Sequence, residues 1–239
     1  YEVVLASGEI HKTGSSSMEK STPFFRHYGP DLTGLFSGDA GSFGIKASIT
    51  LRLIKLPSHS LTCSYGFKSY DAMSQAMAAA AREESVSSNW GLDPKLQQGQ
   101  LGSTSIADAF KAAFAVLRTA RNPLEAILQL FKMAIAGKRF LTGYDYSAHF
   151  VVEGHSMSEV KSKLAQTRKA VSSFGTEIAN TIPTVLGAMP FMPLYPILGP
   201  QGERWVPMHG LLSFSKMQEM HNRLMDLYEE KKDAMEEYS

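Results

Sequence analysis

The sequence predicts an α+β protein whose antiparallel sheet is covered by helices, and two observations predict it. Ile45, Ala47, Ile49, Leu51 and Leu53 alternate with Lys46, Ser48, Thr50 and Arg52 before Pro57 ends the run. That is the period-2 pattern of a half-buried strand. A weak internal rhyme recurs at Gly66-Phe67-Lys68-Ser69, Glu153-Gly154-His155-Ser156 and Leu212-Ser213-Phe214-Ser215, each bringing a strand to a Ser near a helix start. Three such strand–helix units with long insertions suggest a ferredoxin-like arrangement.

The elements follow in chain order. Tyr1 to Leu5 reads as a strand, Ser7-Gly8 as a turn, and Glu9 to Thr13 as the returning strand of a hairpin. After the strand through Leu53 come a strand over Leu61 to Phe67 and an Ala/Met-rich helix over Tyr70 to Glu84. Residues 91 to 140 read as helical. Ser105 caps a face of Ile106, Phe110, Phe114 and Leu117, Asn122-Pro123 opens the next helix, and Gly137 suits its exit. A strand over Tyr146 to Val152 and a helix over Ser158 to Asn180 come next. An apolar, proline-broken loop (Pro183 to Pro200), a last strand (Trp205 to Leu212) and a helix from Ser215 complete the chain. Its Glu- and Lys-rich tail from Met217 to Tyr238 reads as a solvated helix.

Composition narrows the function classes. The 239 residues give room for one large domain or two small ones. Lys and Arg number 24 against 23 Asp and Glu, so the strongly basic footprint of a nucleic-acid binder is missing. Cys63 stands alone, which excludes an internal disulfide and a cysteine-rich zinc site, and makes a reducing compartment such as the cytoplasm the default. The chain opens inside a strand pattern without an initiator Met or a leader, and closes on a helical tail without a clear stop. The expectation is an internal portion of a longer protein, with part of any active site outside it.

Two apolar stretches bear on partners. From Leu124 to Ile135 the polar residues Glu125, Gln129 and Lys132 form one narrow stripe, flanked by Arg118, Arg121, Lys138 and Arg139. At roughly 18 Å this helix is too short to cross a bilayer. Burial is the plainer reading, and peripheral membrane contact is the alternative. The Met- and Pro-rich stretch Val185 to Leu198 reads as a packed loop, or as the lining of an apolar pocket.

The most informative run is Gly29-Pro30-Asp31-Leu32-Thr33-Gly34-Leu35-Phe36-Ser37-Gly38-Asp39-Ala40-Gly41-Ser42-Phe43-Gly44, with five glycines in sixteen positions. Glycines at this density permit positive φ and close approach of a ligand, and successive exposed amides can cradle phosphate. A Rossmann loop is rejected, because the spacing differs and a strand follows; a Walker loop is rejected for want of Gly-Lys-Ser/Thr. A ligand-free glycine turn is the bland alternative.

With Val3-Val4-Leu5-Ala6-Ser7-Gly8-Glu9-Ile10 and Thr13-Gly14 before it, and the strand to Pro57 after it, this run resembles the second half of an FAD-binding domain. The family is that of FAD-linked oxidases typified by vanillyl-alcohol oxidase, 4-cresol dehydrogenase, glycolate oxidase and flavin D-lactate dehydrogenases. The resemblance implies that residues 1–57 are the C-terminal part of that domain and 58–239 a substrate-binding cap with an antiparallel sheet covered by helices. It implies FAD, contacted by Pro30, Asp31, Gly34, Gly38, Gly41, Ser42, Gly44 and Ile45. The family's first FAD subdomain and the His-rich metal motif of its lactate and glycolate branch are absent, so no metal is expected. Many relatives carry Ser-Glu where this chain has Asp39-Ala40.

The implied activity is that of a dehydrogenase or oxidase moving hydride from a small alcohol, foremost a 2-hydroxy acid, to flavin; the electron acceptor is left open, and a homodimer is one expectation. Within Arg204-Trp205-Val206-Pro207-Met208-His209-Gly210, Arg204 is the cation for a substrate carboxylate and His209 the base. A structural strand with a partly buried His is the bland alternative there. His27, His149, His155, Tyr144 and Tyr146 are weaker candidates. The rival function is a non-catalytic module of a flavoprotein complex, or a membrane-contact module, without bound flavin.

Overall fold

A computed structural model describes residues 1–27, 29–94, 127, 143–188 and 210–237. The chain divides into two units, Tyr1–Leu56 and Pro57–Ser239.

In the first unit the hairpin forms between β1 (Glu2–Val4) and β2 (Ile10–Lys12), with Val3 opposite His11. Gly8 turns it at φ +86°, a left-handed conformation that glycine adopts without steric cost. The short helix α1 (Leu32–Phe36) follows, and β3 (Ile45–Ser48) pairs antiparallel with the other edge of β1. Among the described residues the sheet order is β2-β1-β3. Its interior is small and largely polar. Val3 and Phe36 are buried beside Thr13, Ser15 and Thr33, and the Thr33 hydroxyl donates to the Arg26 carbonyl at 2.7 Å. Buried hydroxyls satisfied in this way avoid the desolvation penalty of an unpaired group.

The predicted strand from Ile45 to Leu53 is corrected in two respects. It stops at Ser48, because β1 offers only three residues to pair with and, among the described residues, no other strand of this unit lies alongside. Its covered face is also the opposite one: Lys46 turns inward toward Asp39, while Ile45, Ile49, Leu51 and Leu53 are 72, 53, 74 and 90% exposed.

The second unit carries β4 (His59–Phe67), α2 (Tyr70–Arg82), β5 (Ser88–Leu92), β6 (Tyr146–Gly154), α3 (Met157–Val171) and β7 (Thr176–Ile178). All neighbouring strands are antiparallel in the order β5-β6-β4-β7 among the described residues. This β-α-β-β-α-β order is the ferredoxin-like arrangement expected from the strand–helix rhyme. The long pair β4/β6 runs in unbroken register from His59 opposite Gly154 to Phe67 opposite Tyr146. Alternation sends Cys63, Tyr65, Phe67, Ala148, Phe150 and Val152 to one face. There they pack with Met73, Ala76 and Ala80 of α2 and Val160, Leu164 and Val171 of α3. Each large apolar side chain buried in this layer contributes roughly 1.5–3 kcal/mol.

Both helices start where the rhyme placed them. The Ser69 hydroxyl accepts the Ala72 N–H at 3.2 Å and the Ser156 hydroxyl accepts the Glu159 N–H at 3.2 Å. Glu159 Oε2 in turn accepts the His155 N–H at 2.8 Å, a variant of the capping box. The third member of the rhyme departs from this: residues 210–212 form no strand, and Ser213 precedes a 3-10 turn, Phe214–Lys216, without a side-chain cap.

The helix expected to Asn180 ends at Val171, because the turn at Ser172 to Gly175 hands the chain to β7. The loop expected from Pro183 instead begins within α4 (Thr181–Ala188), with Pro183 in the first turn, where an N–H has no intrahelical partner to lose. Helices α5 (Met217–Glu230) and α6 (Lys232–Glu237) close the chain. Of the stretch from 91 to 140 expected to be helical, Gly91 and Leu92 instead complete β5, where pairing to β6 holds them extended. Ile127 is helical and exposed, and 95–126 and 128–140 lie outside the described residues. No helix among the described residues is long and apolar enough to cross a membrane.

Candidate functional site

In the glycine run, Asp31 caps α1. Its Oδ1 accepts the Gly34 N–H at 2.9 Å, and its Oδ2 lies 2.9 Å from both Nε and an Nη of Arg26. The Arg26 guanidinium, with help from the Gly34 amide, holds this carboxyl below its usual range. Pro30, Asp31 and Gly34 therefore shape the α1 turn; Gly38, Gly41 and Ser42 form the loop after it, and Gly44 and Ile45 the entry to β3. Gly38 and Gly41 take φ of +71° and +82°, and nothing lies within 4 Å of where a Cβ would stand on either. That open side is room a ligand can use. Gly44 serves the sheet instead, since a Cβ there would stand 2.6 Å from Val3 Cγ1.

The Gly41, Ser42 and Phe43 amides of the loop are already engaged. Asp39, its side chain only 2% exposed, accepts the Gly41 N–H with Oδ1 and the Phe43 N–H with Oδ2, both at 3.1 Å, and pairs with the Lys46 ammonium. The Ser42 N–H donates to the Asp39 carbonyl at 2.9 Å. Ala40 beside it is held at φ +50°. The phosphate cradle expected from the glycine spacing thus encloses a carboxylate of its own. Sequence reasoning did not single out this role of Asp39. Aspartate next to glycine signals a side chain that bonds its own turn, but not which amides it reaches.

In the second unit, the sheet face opposite α2 and α3 is partly polar. His149 is fully buried between Ser64 and Ser147, its Nδ1 2.9 Å from the Ser64 hydroxyl and its Nε2 3.2 Å from the Ser147 hydroxyl. The Trp90 ring centroid lies 4.5 Å from that of the imidazole. Burial pushes the imidazole pKa down to about 4, so it is neutral at pH 7, with one ring nitrogen donating and the other accepting. Nearby, Leu92, Ile178 and Ile182 pack with Trp90. Asn180 Nδ2 donates to the Thr62 carbonyl at 2.8 Å, while its Oδ1 is buried with no partner among the described residues.

A cleft of about 430 Å³ opens at the end of β4 and the start of β6, between α2 and α5. Tyr70 and His221 stack there with centroids 3.9 Å apart and planes 13° from parallel, and the Tyr146 hydroxyl lies 3.3 Å from His221 Nε2. Lys68, Asp71, Asp145 and Gln218 share the lining. Burial raises the phenol pKa of both tyrosines, which keeps them protonated donors. His221 carries no motif that a sequence reading could use, because α5 presents it only once packed on α2.

Of the weaker sequence candidates, Tyr146 enters this cleft, Tyr144 covers Gly66, and His27 and His155 are exposed. Arg204 and His209 lie outside the described residues. Among those described, no three His, Cys, Asp or Glu side chains gather as metal ligands.

No family model matches the chain. Over 78 residues, 32% of the chain, it is 37% identical to a mitochondrial D-lactate dehydrogenase (cytochrome) of Arabidopsis thaliana. The match covers 13% of that protein's length. Among solved structures, p-cresol methylhydroxylase with substrate bound is similar at a TM-score of 0.48 and 19% identity, over 79% of this chain and 36% of that one. The chain thus spans only a small part of the length of the D-lactate dehydrogenase it matches.

Proposed function

We propose that this chain is part of an FAD-dependent oxidoreductase, a dehydrogenase or oxidase acting on CH–OH donors. The proposed substrate is a small alcohol, foremost a 2-hydroxy acid, with a phenolic alcohol next. One observation carries the reading: the run from Gly29 to Gly44, whose capped α1 turn, left-handed loop and entry to β3 occur in a sequence resembling the second half of an FAD-binding domain. The D-lactate dehydrogenase similarity supports it from a separate comparison.

The flavin, when bound, supplies the two-electron acceptor. The chain's own tasks are to hold that group, to orient the substrate carbon and to take the alcohol proton. The open side of Gly38 and Gly41 fits close approach of a ring or ribose, with Pro30, Asp31, Gly34, Ser42, Gly44 and Ile45 shaping the surface. Arg204 is assigned to a substrate carboxylate and His209 to the proton, since imidazole is the side chain best matched to base duty near neutral pH. The lone cysteine favours the cytoplasm.

The test is anaerobic mixing of FAD-loaded protein with a panel of 2-hydroxy acids and phenolic alcohols. Bleaching by at least one hydroxy acid is expected, with His209→Gln slowing reduction far more than it weakens substrate binding. A flavin that no panel member bleaches would overturn the substrate assignment. An unchanged reduction rate would end the role of His209 as base.

A further inference from the structure

We propose that Asp39 is a positioning residue that fills the glycine loop's anion nest from within, so that the loop meets its cofactor through neutral surface rather than through phosphate. The inference rests on the flavoprotein reading above. Successive amides in such a loop form a concavity suited to one anion. Here that anion is a carboxylate, accepting from Gly41 and Phe43 and paired with Lys46. Its side chain is 2% exposed and that of Lys46 20%, so neither charge is spent on solvent.

A phosphate entering this nest would have to expel a carboxylate enclosed by three donors. It would then share the site with a displaced negative charge, since Lys46 supplies a single positive one. Like charges at such range disfavour each other strongly where water is scarce. What the loop offers outward is neutral: Ala40, Gly41, Ser42 and the Phe43 ring are all exposed. Ala40 at φ +50° and Gly41 at φ +82° are held in left-handed conformations between the groups that Asp39 ties down. The carboxylate thereby fixes the shape of the surface the cofactor meets, and the pyrophosphate is held by other groups. Gly41 accordingly belongs to the cofactor site by shape and not as a phosphate donor.

The experiment follows the Gly41 and Phe43 amides of the full chain by ¹⁵N NMR while inorganic pyrophosphate and then FAD are added. Wild-type amides are expected to ignore pyrophosphate. In Asp39→Ala the emptied nest and freed Lys46 should take pyrophosphate, with shifts at both amides, and hydrogen exchange at both should accelerate. FAD affinity should fall at least about tenfold, since the loop loses the acceptor that ordered it. Lys46→Met provides a second variant, which leaves the carboxylate unpaired and should also weaken FAD binding. Wild-type amides that shift with pyrophosphate would overturn the inference. So would an Asp39→Ala protein with unchanged exchange. Failure of the wild type to bind FAD would count against the flavoprotein reading, whereas the pyrophosphate and exchange results judge Asp39 without it.

Discussion

Acidification from pH 7 to pH 5 is expected to destabilise the second unit through His149. The imidazole is fully buried between two hydroxyls, and its pKa falls from an ordinary 6.5 to about 4 because burial penalises the cation. The folded value is the depressed one. Below pH 6.5 the unfolded chain therefore takes up a proton that the folded chain refuses until about pH 4. Stability is full above 6.5 and drains away as pH falls toward 4. At about 1.36 kcal/mol per unit the whole effect is about 3 kcal/mol, and about 2 kcal/mol of it is lost between pH 7 and pH 5. Urea unfolding of wild type and His149→Gln at intervals across this range measures it. The variant starts less stable, but its curve should be flatter by about 2 kcal/mol over that range. Glu159, whose pKa is drawn down to about 2 chiefly by Lys163 and by the His155 amide, acts in a separate window below pH 4.5. Equal losses in wild type and variant between pH 7 and pH 5 would refute the assignment.

Other perturbations probe the loop and the caps. Ala40→Gly should raise stability by about 1 kcal/mol in urea melts, because Ala40 sits at φ +50° and glycine takes that conformation without the Cβ clash. Gly44→Ala should cost more than about 2 kcal/mol by the same assay, since φ is +154° and the new Cβ would stand 2.6 Å from Val3 Cγ1 and 2.8 Å from the Val4 carbonyl. Ser69→Ala and Ser156→Ala should each cost about 1 kcal/mol, and the double variant the sum, because the two caps serve separate helices.

What could be read from the sequence divides along local and non-local lines. Ser69 and Ser156 were legible as helix starts because capping is decided within four residues of chain. The paired strands β4 and β6 were legible because their alternation spans a full element. Alternation also grouped Ile45 with Ala47, which are both exposed in β3. It could not say which face is covered, and Asp39 draws Lys46 inward instead. The strand β5 was missed because Asn89 and Gly91 dilute its pattern and pairing to β6 creates it. Three-residue β7 is too short to show a period. At the candidate site the glycines signalled a left-handed loop, and the loop is there. The carboxylate inside it depends on which amides converge, and the Ser64–His149–Ser147 cluster on the register of two strands far apart in sequence. The Tyr70–His221 stack needs α5 docked on α2, which no local pattern encodes.

The central claim is that this chain serves a flavin. The most direct measurement is the visible absorption spectrum of the purified protein after incubation with FAD and gel filtration. A flavin spectrum that travels with the protein, and is weakened in Asp39→Ala, is the predicted result. A protein that emerges colourless at every FAD concentration tried would contradict the account.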